Sequence, residues 1–157
     1  QGAMSKVYLA ERKNGNQSLV LKILDIKNAR GAASIDRFVL EAELISELDS
    51  PFVVKIYDHG LTEDYGFIAM EFFSRGDLKQ RMELNIPPEL AATYMLHVAY
   101  GLKEIHKAGV IHRDLKPANI MFRGDDSLAL ADFGISKKMN SASNLTTLGQ
   151  IIGTPTI

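Results

Sequence analysis

The sequence predicts an α+β fold with two lobes: a small antiparallel β lobe that carries one helix, followed by the first part of a helical lobe. Three observations support this prediction. Short apolar runs separated by turn signals, such as Asn14-Gly15-Asn16, fill most of residues 1–70. One segment among them, 34–48, has the apolar spacing of a helix. After Pro87-Pro88, apolar residues recur at alternating steps of four and three, which is typical of a long buried helix.

Composition fits a soluble globular protein. The chain has 157 residues, 46% of them hydrophobic and 24% charged, which is enough for one domain with a real core. A net charge of −1 gives no bulk attraction for nucleic acid or for an anionic membrane. The absence of cysteine excludes disulfides and thiolate metal sites and leaves the redox compartment open. No apolar run approaches the roughly 20 residues of a membrane span, and no signal peptide opens the chain.

Two charged residues interrupt the apolar patterns of the small lobe. Lys22 lies inside the strand-like run 18–24, where a buried ammonium group needs an anionic partner. The alternative is an edge-strand lysine that faces water. In the following helix, which Ser34 is expected to cap, Glu41 falls on the inward-facing stripe and therefore needs a cation; an alternative partner is Arg37, one turn earlier. The stripe consists of Phe38, Ile45 and Leu48.

Further elements follow from local patterns. Strands are predicted at 53–57 and 67–70, and a short strand at 110–111. The long helix begins at Pro87-Pro88, where proline is tolerated, and ends at Gly109. A hairpin is predicted from 120–122 and 128–131 around Gly124-Asp125-Asp126. The predicted buried stripe of the long helix is Ala91, Met95, Val98, Leu102 and Ile105.

The loop 112–119 holds an acid, two bases and a carboxamide within eight residues. Such a loop suits the removal of a proton from a hydroxyl group beside a metal-bound phosphate. Asp114 would accept the proton, and Lys116 would neutralise the phosphate. Asn119, at one end of the hairpin, and Asp132, at the other, offer the hard oxygen ligands that Mg²⁺ prefers.

The two segments 112–119 and 132–134 resemble the protein kinase family, whose catalytic loop is H-R-D-L-x-x-x-N and whose metal motif is D-F-G. Both motifs are present without substitution and in the family's order. Lys116 resembles the serine/threonine class, and the ending Gly153-Thr154-Pro155 resembles bacterial serine/threonine kinases of the Hanks type. The resemblance covers essentially the whole chain and implies a protein-kinase-like fold.

The resemblance assigns most of the site. It makes Asp114 and Lys116 catalytic and pairs Lys22, which would hold the ATP phosphates, with Glu41. Met70 would be the gatekeeper, and Asp77 would reach the ribose. The backbone of Glu71 and Phe73 would bind adenine, and Met121 would pack under it. Val20 replaces the usual alanine near the adenine pocket. The remaining nucleotide contacts would come from Gly2, Ser5 and Val7 of the glycine-rich loop. In this loop Ser5 replaces the third glycine.

The implied activity is transfer of the ATP γ-phosphate, with Mg²⁺, to Ser or Thr hydroxyls of proteins. The polar stretch after Gly134 is expected to be an activation loop phosphorylated at Thr146 or Thr147, with an unpaired Arg113 receiving the phosphate. A kinase-domain dimer would permit phosphorylation in trans. The segment is expected to be cytoplasmic and to contact neither nucleic acid nor membrane, although the full-length protein could be membrane-anchored. His112 is expected to pack against Phe133 rather than act as a base.

The resemblance also predicts a partial kinase domain. Residues 1–70 would be a small lobe without its first strand, 71–77 the hinge, and 78–157 a large lobe that ends before the A-P-E motif. Such a segment is expected to bind Mg·ATP weakly and to phosphorylate no protein. Two alternatives stay open: a pseudokinase or nucleotide-binding scaffold, which Ser5 and Val20 favour, and a small-molecule kinase of related fold.

Overall fold

The computed structural model describes residues 5–12, 17–26 and 32–133. Four strands form an antiparallel sheet in the order β1-β2-β4-β3. The strands are β1 Ser5–Glu11, β2 Ser18–Asp25, β3 Ile56–Leu61 and β4 Tyr65–Glu71. One helix, α1 Ala32–Ser46, packs beside β3 and β4. This sheet with its single helix is the small lobe, and it confirms the predicted α+β class.

The helical lobe begins with α2 Leu78–Met82, which Asp77 caps by accepting the Gln80 N–H at 2.9 Å. The long helix α3, Pro88–Lys107, has Pro88 in its first turn, and Gly109 follows its end with a φ of +78°. A 3₁₀ turn at Pro117–Asn119 leads into a hairpin of β5 Ile120–Phe122 and β6 Leu128–Leu130. The proline start, the glycine stop and the hairpin are confirmed. The segment 110–111, which was predicted as a strand, is not in one.

The hairpin lies between two segments that connect it to the small lobe. On one side, the Val54 N–H donates to the Leu130 carbonyl at 2.8 Å and the Leu130 N–H donates to the Phe52 carbonyl at 2.9 Å. On the other side, the Phe122 N–H donates to the Gly76 carbonyl at 2.9 Å. The strand predicted at 53–57 therefore begins only at Ile56, because Val53 and Val54 pair with Leu130 of the hairpin instead of with the sheet.

The buried face of α3 differs from the predicted stripe. Val98 and Ile105 are buried as expected, but Met95 is 63% exposed. The buried position one residue earlier is Tyr94, whose ring lies 5.1 Å from that of Phe122. Gly101 completes this face.

No side chain would fit at Gly101. A Cβ there would lie 2.7 Å from the Phe52 carbonyl oxygen and 2.9 Å from a Leu130 methyl group. The helix therefore approaches the hairpin at a glycine, which lets residues 52–54 and β6 lie directly against it. Among the described residues, no helix has both the length and the apolar character that a membrane span requires.

Candidate active site

The loop 112–119 brings two predicted site residues, Lys116 and Asn119, to the carboxylate of Asp114. Lys116 Nζ donates to Asp114 Oδ2 at 2.9 Å. Asn119 Nδ2 donates to the same oxygen at 3.1 Å and to the Asp114 carbonyl at 2.7 Å. The 3₁₀ turn places Asn119, which is only 4% exposed, under the loop. The Asp114 carboxylate is thus held at a fixed position beside a half-exposed ammonium group.

The hairpin brings the two predicted metal ligands together. The Ala131 N–H donates to the Asn119 carbonyl at 2.9 Å, and Asn119 Nδ2 lies 3.5 Å from the Asp132 carbonyl. Asp132 has a φ of +52°, a conformation that non-glycine residues adopt rarely and that is concentrated at functional sites. Because the amide nitrogen of Asn119 bonds to Asp114, its Oδ1 is the atom left to accept. This oxygen and the Asp132 carboxylate are hard donors that fit Mg²⁺, with water and phosphate as further ligands.

Lys22 contacts one of these predicted metal ligands. It lies on β2, between β1 and β4, and is 9% exposed, so the edge-lysine alternative is wrong. Its Nζ is 2.5 Å from Asp132 Oδ1. A buried ammonium group needs an anionic partner because desolvation is otherwise costly. Asp132 is that partner here, although its own side chain is 56% exposed.

Glu41 pairs with Arg113 rather than with Lys22. The Glu41 side chain is 10% exposed and accepts a hydrogen bond from the Arg113 guanidinium. Two predictions are therefore corrected: the Lys22–Glu41 pair is not formed in this structure, and Arg113 is not unpaired. The four charges satisfy one another as Lys22 with Asp132 and Arg113 with Glu41. The side chain of Arg37 lies outside the described part of the chain.

His112 has a structural position. It is 2% exposed, its Nε2 lies 3.1 Å from the Ala131 carbonyl, and its ring centroid is 4.8 Å from that of Phe133. Burial lowers the pKa of the imidazole, because desolvation disfavours the charged form. The Nε2–H of the neutral ring can donate to that carbonyl. The predicted contact with Phe133 is confirmed.

Predicted nucleotide contacts share one face of the small sheet. Val7 is the register partner of Lys22, and Val20 is the partner of Met70. Residues directly opposite on neighbouring strands point to the same side, as do alternate residues on one strand. The four positions therefore form one surface that ends at Lys22. Ser5 continues β1 at the register partner of Leu24, and its side chain is not described.

The segment after β4 connects the lobes. The Glu71 N–H donates to the Lys55 carbonyl at 2.9 Å. Within the described ranges, the Phe73 N–H donates to no backbone carbonyl. Asp77, the predicted ribose contact, uses Oδ1 to cap α2 and forms an isolated bridge with Met121. Three predicted positions lie outside the described residues: Gly2, Thr146 and Thr147.

Sequence analysis missed Arg123. This residue follows β5 and binds Glu71 through two hydrogen bonds of 2.7 Å, from Nε and Nη2. An arginine beside Gly124-Asp125-Asp126 is indistinguishable in sequence from a solvent-exposed turn residue. Only the folding of the hairpin against the end of β4 reveals the contact.

Comparison with known proteins gives a consistent result. The family model described as protein kinase domain matches residues 1–156. The chain is 35% identical to the serine/threonine-protein kinase pkn2 of Myxococcus xanthus, over 98% of this chain and 19% of that protein. It is 33% identical to the serine/threonine-protein kinase PknL of Mycobacterium bovis, over 98% of this chain and 39% of that protein. The chain therefore spans well under half the length of either relative.

A solved structure is also similar. The crystal structure of Rad53 in complex with AMP-PNP matches 86% of this chain and 36% of its own, with a TM-score of 0.73 and 27% sequence identity. The likeness spans most of the chain and therefore most of the architecture described above.

Proposed function

The chain belongs to the protein kinase family, and we propose that it transfers the γ-phosphate of ATP to Ser or Thr hydroxyls of proteins. One observation carries this proposal: Asp114, Lys116 and Asn119 converge within hydrogen-bond distance, and Asp132, which follows β6, lies beside them. Relatives named as serine/threonine-protein kinases support the acceptor class.

Each side chain has a distinct role in the proposed transfer. Asp114 orients the acceptor hydroxyl and takes its proton as the new oxygen–phosphorus bond forms. The bond between the γ-phosphorus and the β–γ bridging oxygen breaks, and ADP leaves. Lys116 offsets negative charge on the transferred group. Asn119 and Asp132 would hold Mg²⁺, which neutralises phosphate charge when bound.

The observed pairing suggests how the site is controlled. Lys22 would bind the ATP phosphates most strongly, and Asp132 would be most available to Mg²⁺, if the ion pair between them opened. Glu41 would accompany that change by exchanging Arg113 for Lys22. We therefore propose that phosphate on Thr146 or Thr147 takes over Arg113 and releases Glu41. A phosphate offers Arg a bidentate partner of higher charge than a carboxylate.

The test is a phosphotransfer assay on the full-length protein with peptide acceptors. Asp114→Asn should lower turnover about 10²–10⁴-fold, the usual contribution of a positioned general base, while the Kd for Mg·ATP stays near the wild-type value. Asp125→Asn, on the exposed hairpin turn, is the matched control and should keep wild-type turnover.

Three results would contradict the proposal. Wild-type turnover in the Asp114 variant would remove that residue from the mechanism. Nucleotide binding without any transfer would identify a pseudokinase scaffold. Transfer to small metabolites but not to peptides would identify a small-molecule kinase.

A further inference from the structure

Arg123 donates more side-chain hydrogen bonds than any other described residue. Its Nε and Nη2 donate to the two carboxylate oxygens of Glu71, both at 2.7 Å, in a bidentate pair. Both side chains are largely buried, with 21% of Arg123 and 12% of Glu71 exposed. A pair so far removed from water holds its geometry much more firmly than a surface ion pair, which is entropically loose.

The same guanidinium also binds a second segment of the small lobe. Nη1 donates to the Pro51 carbonyl at 2.6 Å, and Nη2 lies 3.4 Å from the Val53 carbonyl. Glu71 contributes to this junction, because its Oε1 accepts the Lys55 N–H at 2.8 Å. Arg123 therefore joins the hairpin to the end of β4 and to residues 51–55 at a single point.

This point is next to the proposed adenine contacts. Glu71 is the last residue of β4, and Phe73, two residues later, is buried with its ring centroid 5.6 Å from the Arg123 guanidinium carbon. The following residues are bonded to the same hairpin, since the Arg75 N–H donates to the Phe122 carbonyl at 3.2 Å. The backbone 71–73 is thus fixed at its start by Arg123 and shortly after its end by β5.

We propose that Arg123 is a positioning residue for nucleotide binding, which acts through Glu71 to hold the backbone 71–73 where it binds adenine. This inference rests on the proposed function, because it requires that ATP occupy the site. Arg123 itself is not expected to touch the nucleotide. Its loss should weaken adenine binding and leave the phosphate-handling groups, Lys22 and Asp132, unchanged.

The proposal predicts a specific pattern of affinities. Arg123→Met should raise the Kd for Mg·ATP, ADP and adenosine by the same factor, roughly tenfold, which corresponds to about 1.4 kcal/mol of binding free energy. Turnover at saturating ATP should stay within about twofold, because bound nucleotide restores the backbone position. A purely structural role would lower the unfolding temperature without changing Kd.

Calorimetric titration of the full-length protein with adenosine and with Mg·ATP measures this. Arg75→Met is the matched control, because it removes a half-exposed arginine whose partner, Asp126, lies on the turn of the same hairpin. The control should bind both ligands as wild type does. Arg123→Lys keeps the charge but loses the bidentate fork, so its Kd should be intermediate. The double variant Glu71→Gln with Arg123→Met should have a Kd no higher than the higher of the two single-variant values, because both changes break the same pair.

The outcomes separate this inference from the proposed function. A wild-type Kd in Arg123→Met, or an equal loss in Arg75→Met, would overturn the positioning role while leaving the kinase assignment intact. If Arg123→Met does not fold, the Kd values of Arg123→Lys and Glu71→Gln, compared with wild type, test the positioning role instead. A wild-type protein that binds neither ligand would overturn both proposals.

Discussion

The two ion pairs at the candidate active site can be tested by double-mutant cycles in the nucleotide-free protein. The substitutions are Lys22→Met, Glu41→Gln, Arg113→Met and Asp132→Asn, combined in pairs. The Glu41–Arg113 pair should have the larger coupling free energy, about 1–3 kcal/mol, because these side chains are only 10% and 26% exposed. The Lys22–Asp132 pair should couple by about 1 kcal/mol or less, because Asp132 is 56% exposed and water screens it.

Urea unfolding of each variant gives its free energy of unfolding. The dependence of this free energy on urea concentration should match that of the wild type. The combination Lys22→Met with Glu41→Gln is the informative control, because these residues are not partners here and their losses should add within about 0.5 kcal/mol. A large coupling between Lys22 and Glu41, with none between Glu41 and Arg113, would refute the observed pairing. If the proposed exchange is correct, the coupling should move to Lys22 and Glu41 in protein that is phosphorylated on the activation loop and saturated with Mg·ATP.

Three further predictions concern stability and regulation. Gly101→Ala should lower the free energy of unfolding by about 1–2 kcal/mol, since overpacking against the Phe52 carbonyl costs ~1–3 kcal/mol and the gain in helix propensity returns at most about 1 kcal/mol; an unchanged urea midpoint would contradict it. The lowered pKa of buried His112 means that the unfolded chain takes up a proton that the folded one does not, so stability should fall as pH drops below 6.5 toward the folded pKa. His112→Gln should remove that part of the pH dependence, and an identical slope in both proteins would reject the assignment. Mass spectrometry of the autophosphorylated full-length protein should find phosphate on Thr146 first or on Thr147, and phosphate confined to other residues would exclude both.

The contacts within the loop 112–119 were predictable from sequence. Asp114, Lys116 and Asn119 lie within six residues, so any fold that keeps the loop compact brings them together. The burial of Lys22 did not follow from its strand alone, where an edge-strand lysine facing water was the better interpretation, but from the resemblance to the protein kinase family. The ion pairs themselves were not predictable. Lys22 and Asp132 are separated by 110 positions and Glu41 and Arg113 by 72, so both contacts depend on how distant elements pack.

The errors in the fold have similar causes. The buried face of α3 includes Tyr94 and Gly101, which an apolar count omits: one carries a hydroxyl group and the other has no side chain. The pattern therefore assigned Met95 to the interior. For Val53 and Val54, an apolar run predicts a strand but does not specify which set of strands it joins. Both errors reflect packing between distant elements, which spacing along one element does not encode.

The hairpin β5–β6 has a mechanical consequence, because one of its edges is bonded to residues 52–54 of the small lobe and the other to Gly76, in the segment that connects the lobes. Two separate attachments define a line, and a body attached along a line can turn about it but cannot slide past it. The small sheet should therefore move relative to the loop 112–119 mainly by rotating about the line through these two attachments. Such a motion would change the distance between Lys22 and Asp132 and would allow little sideways displacement of one relative to the other. When the lobes open for nucleotide exchange and close again, the side chains of the site would then return to the same relative positions.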